Sequence, residues 1–144
     1  VPHKENMERD CLNPYSVSKI AGEDIVRMYQ SLYDLSAIIL RYYNVYGERQ
    51  AVGGAYSTVV GKFLKQKHDR AKLTVTNDGE QRRDFTYVGD VAEMVSRITY
   101  LNKFPNGEII NIGTGIPLTL KDFTASIADQ LNNKYILHFS YYIF

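Results

Sequence analysis

The sequence predicts an α/β protein built around a mainly parallel sheet. Short apolar runs of strand length alternate along the chain with segments of ten or more residues that keep helical spacing. Strands separated by helices need crossover connections, which join parallel strands with right-handed sense. A chain of 144 residues, 44% hydrophobic and 23% charged, is ordinary for one soluble globular domain.

Four helices are predicted, over residues 14–33, 58–67, 90–102 and 119–131. The first begins at Asn13-Pro14, because Asn caps a helix and Pro is tolerated in the first turn, where its missing N–H has no partner. Capping boxes mark the starts of the last two helices, and they pair Asp90 with Glu93 and Thr119 with Asp122. The second helix belongs to a basic run that begins at Lys62, and this run is interpreted as a solvated helix end.

Four strands are predicted, over residues 36–43, 73–76, 84–88 and 108–112. The first, SAIILRYY, is a short and largely apolar run, so we expect it to be buried on both faces. Residues 44–57 carry three glycines and are predicted to be a loop. Residues 134–144 are aromatic and apolar, and the sequence indicates no partner for them.

Composition and charge exclude several classes of function. Seventeen basic and 16 acidic residues leave a net charge of +1, which disfavours an electrostatic nucleic-acid binder. The single cysteine, Cys11, excludes an internal disulfide and a cysteine-based zinc cluster. His3, His68 and His138 show no metal-ligand spacing, so no metal site is predicted. No apolar run approaches 18 residues and the first residues are polar, so we expect no membrane span, no signal peptide and a cytoplasmic location.

Tyr15 and Lys19 are the first candidate catalytic pair. Four residues apart on the first predicted helix, they share one face. A tyrosine hydroxyl ordinarily titrates near pH ~10, but a lysine cation and the positive end of a helix both favour tyrosinate. Such a group is suited to accept the proton of an alcohol that is being oxidised.

The pair belongs to a series of motifs in a fixed order: NPYSVSK at 13–19, LRYYNVYG at 40–47, DGEQRRDFTYVGDV at 78–91 and NIGTG at 111–115. In this order and spacing they resemble the extended short-chain dehydrogenase/reductase family. The nearest resemblance is to nucleotide-sugar epimerases of the UDP-glucose 4-epimerase type, and it covers about residues 2–131. The resemblance implies part of a Rossmann-type doubly wound parallel sheet and part of a small α/β substrate domain, with NAD as cofactor.

The resemblance also implies roles for individual residues on the cofactor side. Tyr15 is similar to the catalytic base of the family. Lys19 is similar to the lysine that holds the nicotinamide ribose and favours tyrosinate. Tyr43 matches the aromatic residue beside the nicotinamide.

On the substrate side, Asn44 matches the residue that contacts the substrate diphosphate, and its position also suits a turn residue with left-handed geometry. Ala55 and Tyr56 fall where the backbone of the family meets the nucleotide. Arg83 matches the arginine that grips the diphosphate, where a planar guanidinium fits phosphate oxygens. Without the family, Arg83 reads equally well as a surface residue in a charged turn.

The sequence departs from the family in two places. Glu48 stands where the family commonly has Pro, and we expect the substitution to loosen the loop. The chain has no Gly-x-Gly-x-x-Gly, and Gly113-Thr114-Gly115 follows the wrong strand to replace it. We therefore expect an interior piece of a longer enzyme. Its predicted divisions are the C-terminal part of the NAD-binding domain at 1–52, a substrate-binding region interleaved with returning Rossmann elements at 53–131, and a divergent aromatic tail at 132–144.

The activity implied by the resemblance is epimerisation at C4 of a nucleotide-linked hexose, most simply a UDP-hexose, through a 4-keto intermediate. A 4,6-dehydratase or UDP-glucuronate decarboxylase of the same family shares the first oxidation and stays an alternative. A second alternative is a non-catalytic remnant that binds nucleotide sugar weakly or not at all. The family further implies a homodimer through the 14–33 helix, whose apolar residues can serve both a core and an interface.

Overall fold

The computed structural model describes residues 3–54, 57–101, 106–130 and 138–140. Within these residues it contains four helices, α1 (Pro14–Tyr33), α2 (Val59–His68), α3 (Val88–Thr99) and α4 (Leu120–Gln130). Eight strands accompany them: β1 (Ile39–Tyr42), β2 (Val45–Tyr46), β3 (Thr74–Thr76), β4 (Arg82–Arg83), β5 (Thr86–Tyr87), β6 (Ile109–Ile112), β7 (Leu118–Thr119) and β8 (His138–Ser140). The pairs β1–β6, β2–β5 and β3–β8 are parallel, and β4–β7 is antiparallel. The prediction of a mixed α/β protein with mainly parallel strands is confirmed.

The chain divides into two compact units. The first comprises Val1–Tyr42 and Val91–Ile112, and the second comprises Tyr43–Asp90 and Gly113–Phe144. The domain boundaries expected at residues 52 and 131 stay predictions. No helix in the described residues combines the length and the hydropathy needed to cross a bilayer.

In the first unit, α1 begins where the sequence predicts. The side chain of Asn13 accepts a hydrogen bond from the Ser16 N–H at 2.9 Å, and Ser16 Oγ accepts one from the Asn13 N–H at 3.2 Å. These two hydrogen bonds satisfy the backbone N–H groups of Asn13 and Ser16, which have no partner within the helix. Pro14 has no backbone N–H and needs no partner. The helix ends at Asp34, which adopts a left-handed conformation with φ 51°.

Strand β1 differs from its prediction. It runs over Ile39–Tyr42 rather than 36–43, and its residues are half-buried or exposed rather than buried on both faces. Within the described residues β6 alone pairs with it, with Ile39 opposite Ile109. Pairing with β6 covers one edge of β1 and not its faces, so side chains on both faces keep partial exposure.

The predicted cap of α3 is also wrong. The helix starts at Val88, so Asp90 lies inside its first turn instead of capping it. Strand β5 ends at Tyr87 and passes directly into the helix, with no extended residue between them. The Asp90 carboxylate still lies near the positive end of the helix dipole, where a negative charge is stabilising.

The second unit has the better-formed core. Its buried members are Val60, Phe63, Leu73, Val75, Phe85 and Leu120. The ring of Phe123 stacks on Phe85 with centroids 4.0 Å apart, and it lies 6.3 Å from Phe63. This core joins α2, β3 and α4, and it supports the short strands that surround a cavity described below.

Four of the short strands are absent from the sequence prediction. One of them, β8, lies in the 134–144 segment for which the sequence indicates no partner, but it pairs in parallel with β3. Strand β2 lies in the segment predicted as a loop, and β4 and β7 contain two residues each. Two residues are too few to show an alternating pattern, and these strands exist because a distant segment pairs with them. The predicted pairing of Thr119 with Asp122 is confirmed: the Asp122 N–H donates to Thr119 Oγ1 at 3.0 Å at the start of α4.

Candidate active site

Tyr15 and Lys19 lie one turn apart at the beginning of α1, as predicted. The ammonium of Lys19 is 5.2 Å from the centre of the Tyr15 ring. Tyr15 is the second residue of the helix and is 68% exposed. Among the described residues, neither the hydroxyl of Tyr15 nor the ammonium of Lys19 has a hydrogen-bond partner. Both groups are therefore open to an external ligand.

A cavity of about 460 Å³ lies within the second unit. This volume falls in the usual range for sites that bind small molecules. Among the residues that the structure describes, two cationic side chains, Lys62 and Arg83, line it, and no carboxylate does. Its neutral polar lining consists of Asn44, Thr58, Gln66, Thr74, Thr76 and Gln81. A lining of this kind favours an anionic ligand that also carries several hydrogen-bonding groups.

Two residues predicted to contact the diphosphate, Asn44 and Arg83, line this cavity together. Asn44 has φ 32°, so the left-handed geometry expected of a turn residue is confirmed, and its carbonyl accepts the N–H of Thr86 at 3.4 Å. The Nη1 of Arg83 donates to the carbonyl of Arg82 at 2.8 Å, which holds the exposed guanidinium close to its own strand.

The remaining predicted site residues are less well defined. Tyr43 follows β1 directly and is half-buried, and its ring lies within van der Waals distance of the Cβ position of Gly113. Ala55 and Tyr56 lie outside the described residues. The structure thus brings Asn44 and Arg83 together in the second unit and Tyr15 and Lys19 together in the first.

Several residues of the cavity were missed by sequence reasoning. The sequence indicates Lys62 only as part of a solvated basic run, but this residue lines the cavity. The amide of Gln66 donates to Thr74 Oγ1 at 2.8 Å and accepts the Thr74 N–H at 3.1 Å, which ties α2 to β3 along one wall. A glutamine in an amphipathic helix gives no signal of such a contact, because its partner is eight residues away on another element.

The loop after β2 contains the unusual Glu48. Its carboxylate accepts hydrogen bonds from the hydroxyl of Tyr87 at 2.8 and 3.0 Å. Hydrogen bonds from its own backbone and from Tyr87 lower the pKa of the Glu48 carboxyl, and the same carboxylate raises the pKa of Tyr87. The expectation that Glu48 loosens this loop is wrong, because the side chain binds the loop to β5.

The structure resembles solved sugar-nucleotide epimerases of Rossmann type. One is UDP-glucuronic acid 4-epimerase from Bacillus cereus, determined in complex with UDP-glucuronic acid and NAD. It aligns with a TM-score of 0.85 at 29% identity, over 95% of this chain and 42% of that one. The predicted fold class is therefore confirmed.

The chain belongs to the NAD dependent epimerase/dehydratase family, which it matches over residues 1–113. It is 35% identical over 138 residues to the uncharacterized UDP-glucose epimerase YtcB of Bacillus subtilis, an alignment that covers 94% of this chain and 42% of that protein. It is also 35% identical over 116 residues to the dTDP-D-glucose 4,6-dehydratase of Mus musculus, over 81% of this chain and 31% of the relative. The chain thus spans less than half the length of these relatives. NAD is the cofactor of the family.

Proposed function

We propose that the protein to which this chain belongs is an NAD-dependent epimerase that inverts C4 of a UDP-hexose. The observation that carries the proposal is the position of the Lys19 ammonium, 5.2 Å from the ring of an exposed Tyr15 at a helix N-terminus. In this arrangement an exposed phenol hydroxyl lies beside a cation, and Tyr15 is proposed as the base that accepts an alcohol proton.

The donors on α1 fit a bound NAD. Lys19 offers three N–H donors and is exposed, which suits the hydroxyls of the nicotinamide ribose. When bound, NAD supplies the site that accepts a hydride from sugar C4 and later returns it. In the proposed reaction Tyr15 takes the proton of the C4 hydroxyl as the hydride leaves. The resulting 4-keto sugar turns, and Tyr15 returns the proton after the hydride arrives on the opposite face.

The cavity of the second unit is proposed to hold the nucleotide diphosphate. Arg83 and Lys62 supply positive charge there, and Asn44 supplies an amide. Tyr43 is proposed to lie beside the nicotinamide, and the backbone at Ala55 and Tyr56 to contact the nucleotide. Holding the diphosphate orients the sugar, and hydride transfer depends on that orientation.

Two other functions stay open. The mouse 4,6-dehydratase relative supports an elimination that follows the same first oxidation, as does the wider family, which includes dehydratases by name. A decarboxylase acting on UDP-glucuronate begins in the same way. A chain that binds nucleotide sugar weakly and turns over nothing is the alternative outside enzymes.

We further propose that the protein is a homodimer through α1. Ile25, Met28 and Leu32 are exposed on that helix, and no residue of α1 is buried among the described residues. Apolar side chains at this spacing form a continuous stripe that a second copy can cover. The cytoplasmic location expected from the sequence stays a prediction.

The test is the conversion of UDP-glucose to UDP-galactose by the intact gene product. Tyr15→Phe removes the proton acceptor and should lower kcat about 10²- to 10⁴-fold. Tyr33→Phe is the matched control, since Tyr33 closes the same helix with the same 68% exposure. Wild-type protein that releases a 4-keto product instead of an epimer would establish the dehydratase. Equal activity of Tyr15→Phe and Tyr33→Phe would refute the assignment of Tyr15.

A further inference from the structure

The carboxylate of Asp84 holds the segment Gly113-Thr114-Gly115. This segment does not complete the Gly-x-Gly-x-x-Gly pattern of a phosphate-binding loop. Asp84 Oδ1 accepts the Thr114 N–H at 3.0 Å and the Thr114 hydroxyl at 2.7 Å, and Oδ2 accepts the Gly115 N–H at 2.8 Å. A Cβ at Gly113 would lie 2.8 Å from Asp84 Oδ2, and Gly115 has φ 74°. Both glycines are thus required by the close approach of this carboxylate and by the turn around it.

The hydrogen bonds to Asp84 favour the ionised form of its carboxyl group. Partial burial by itself raises the pKa of the Asp84 carboxyl, but hydrogen bonds from Thr114, Gly115 and Thr86 outweigh that effect and lower it. Each of these donors stabilises the charged form. The loop therefore closes on a carboxylate and not on a neutral acid at physiological pH.

The position of Asp84 connects this loop to the cavity. It directly follows β4, whose residue Arg83 pairs with Leu118 of β7. The segment that Asp84 holds leads into β7 from the other side. The Asp84 carboxylate therefore links the segments next to β4 and β7 at one end of their ladder, which is only two residues long. A ladder this short has little stability of its own, so the direction of Arg83 depends on that closure.

We propose that Asp84 is a positioning residue: by holding the 113–115 loop against the end of β4, it aims Arg83 into the cavity and so sets the affinity for the diphosphate. The inference rests on the proposed function, because Arg83 is the proposed diphosphate contact. Asp84 itself does not line the cavity. Its effect is therefore expected to pass through Arg83 alone.

The experiment measures calorimetric dissociation constants of UDP and of uridine for the intact gene product and its variants. Asp84→Asn keeps the size of the side chain but turns an NH₂ group toward backbone donors. The clamp, which is the set of hydrogen bonds from Thr114 and Gly115 to Asp84, is then broken. We expect it to weaken UDP binding roughly five- to tenfold and to leave uridine binding unchanged. Asp78→Asn is the matched control, because Asp78 also accepts a backbone N–H, from Glu80 at 3.1 Å, but does not line the cavity.

Variants of Thr114 test the same role of the clamp if Asp84→Asn fails to fold. Thr114→Val removes one hydrogen bond of the clamp and should weaken UDP binding by a smaller factor, whereas Thr114→Ser should restore it. In an Arg83→Ala background, Asp84→Asn should cause no additional loss of UDP affinity. Equal losses for UDP and uridine, or losses that add to that of Arg83→Ala, would overturn the proposal while leaving the proposed function intact. Wild-type protein that binds no UDP would overturn both.

Discussion

Arg41 on β1 and Glu23 on α1 form a bidentate ion pair. The Nε and Nη2 atoms of Arg41 each lie 2.7 Å from one oxygen of the carboxylate, and Glu23 is 11% exposed. Arg9 approaches the same carboxylate at 3.7 Å. Glu23 lies one turn beyond Lys19 and two turns beyond Tyr15 on neighbouring positions of the helix surface. Because no described residue of α1 is buried, this pair is a principal contact that orients the helix carrying the proposed base.

Replacing Glu23 with Gln should therefore destabilise the protein. The substitution replaces a bidentate, charge-assisted contact in a partly buried pair with a neutral one that has one acceptor fewer, which should lower the free energy of unfolding by about 2 kcal/mol. Glu93→Gln is the matched control: Glu93 pairs with Arg97 at the surface, so its loss should cost no more than about 0.5 kcal/mol. Urea denaturation of both variants measures the difference, and equal effects would mean that the Glu23 pair does not anchor α1.

Acid should remove the contribution of Asp84 to stability. Its pKa in the folded protein lies below the ordinary value of 3.8, so the unfolded chain binds the proton more readily. The stabilisation is complete above that ordinary value and is lost as the pH falls through the lower, folded-state pKa. Asp84→Asn should flatten the decrease of unfolding free energy below pH ~4, as measured by denaturation at a series of pH values. An unchanged slope would contradict the role of the ionised carboxylate.

The core of the second unit should depend strongly on Phe63. This side chain is 2% exposed and packs against the ring of Phe123. Phe63→Ala leaves a cavity that the surrounding strands and helices cannot fill, and it should lower the unfolding free energy by about 3–5 kcal/mol. Leu64, the next residue, is 49% exposed, and Leu64→Ala should cost roughly 0.5 kcal/mol or less. Thermal or chemical denaturation distinguishes the two, and similar losses would show that Phe63 is not part of a close-packed core.

The proposed dimer makes a prediction about the exposed face of α1. Leu32 is 64% exposed there, and Leu32→Glu places a charge where a second copy is expected to pack. Sedimentation velocity should show a shift from dimer to monomer at micromolar concentration. Leu101→Glu, at an exposed position after α3, should leave the sedimentation coefficient unchanged. A wild-type protein that sediments as a monomer would remove the claim.

Elements with local signals could be predicted from the sequence. Asn13 and Ser16 are three residues apart, so the hydrogen bonds that start α1 form within one turn, and the predicted helix has the same bounds as the observed one. Tyr15 and Lys19 meet for the same reason, since the helix alone brings residues four apart onto one face. Neither contact depends on any other part of the fold.

Contacts between distant segments could not be predicted in this way. Three features join residues that are far apart in the chain: the pairing of β4 with β7, the hydrogen bond from Thr114 to Asp84, and the cavity that Asn44 and Arg83 both line. Motif order placed Asn44 and Arg83 in one site only by resemblance to a family. No periodicity in the sequence indicated Lys62, Gln66 or Thr74 as their neighbours.

The sequence by itself determined the four helices, the α/β class and the Tyr15–Lys19 pair, because the hydrogen bonds and spacings that produce them lie within a few consecutive residues. Only the tertiary structure decided the short strands, the position of Glu48 against Tyr87, the clamp at Asp84 and the ion pair between Glu23 and Arg41. Those contacts form only after long loops have closed. Burial of apolar side chains throughout the fold offsets the conformational entropy that loop closure costs.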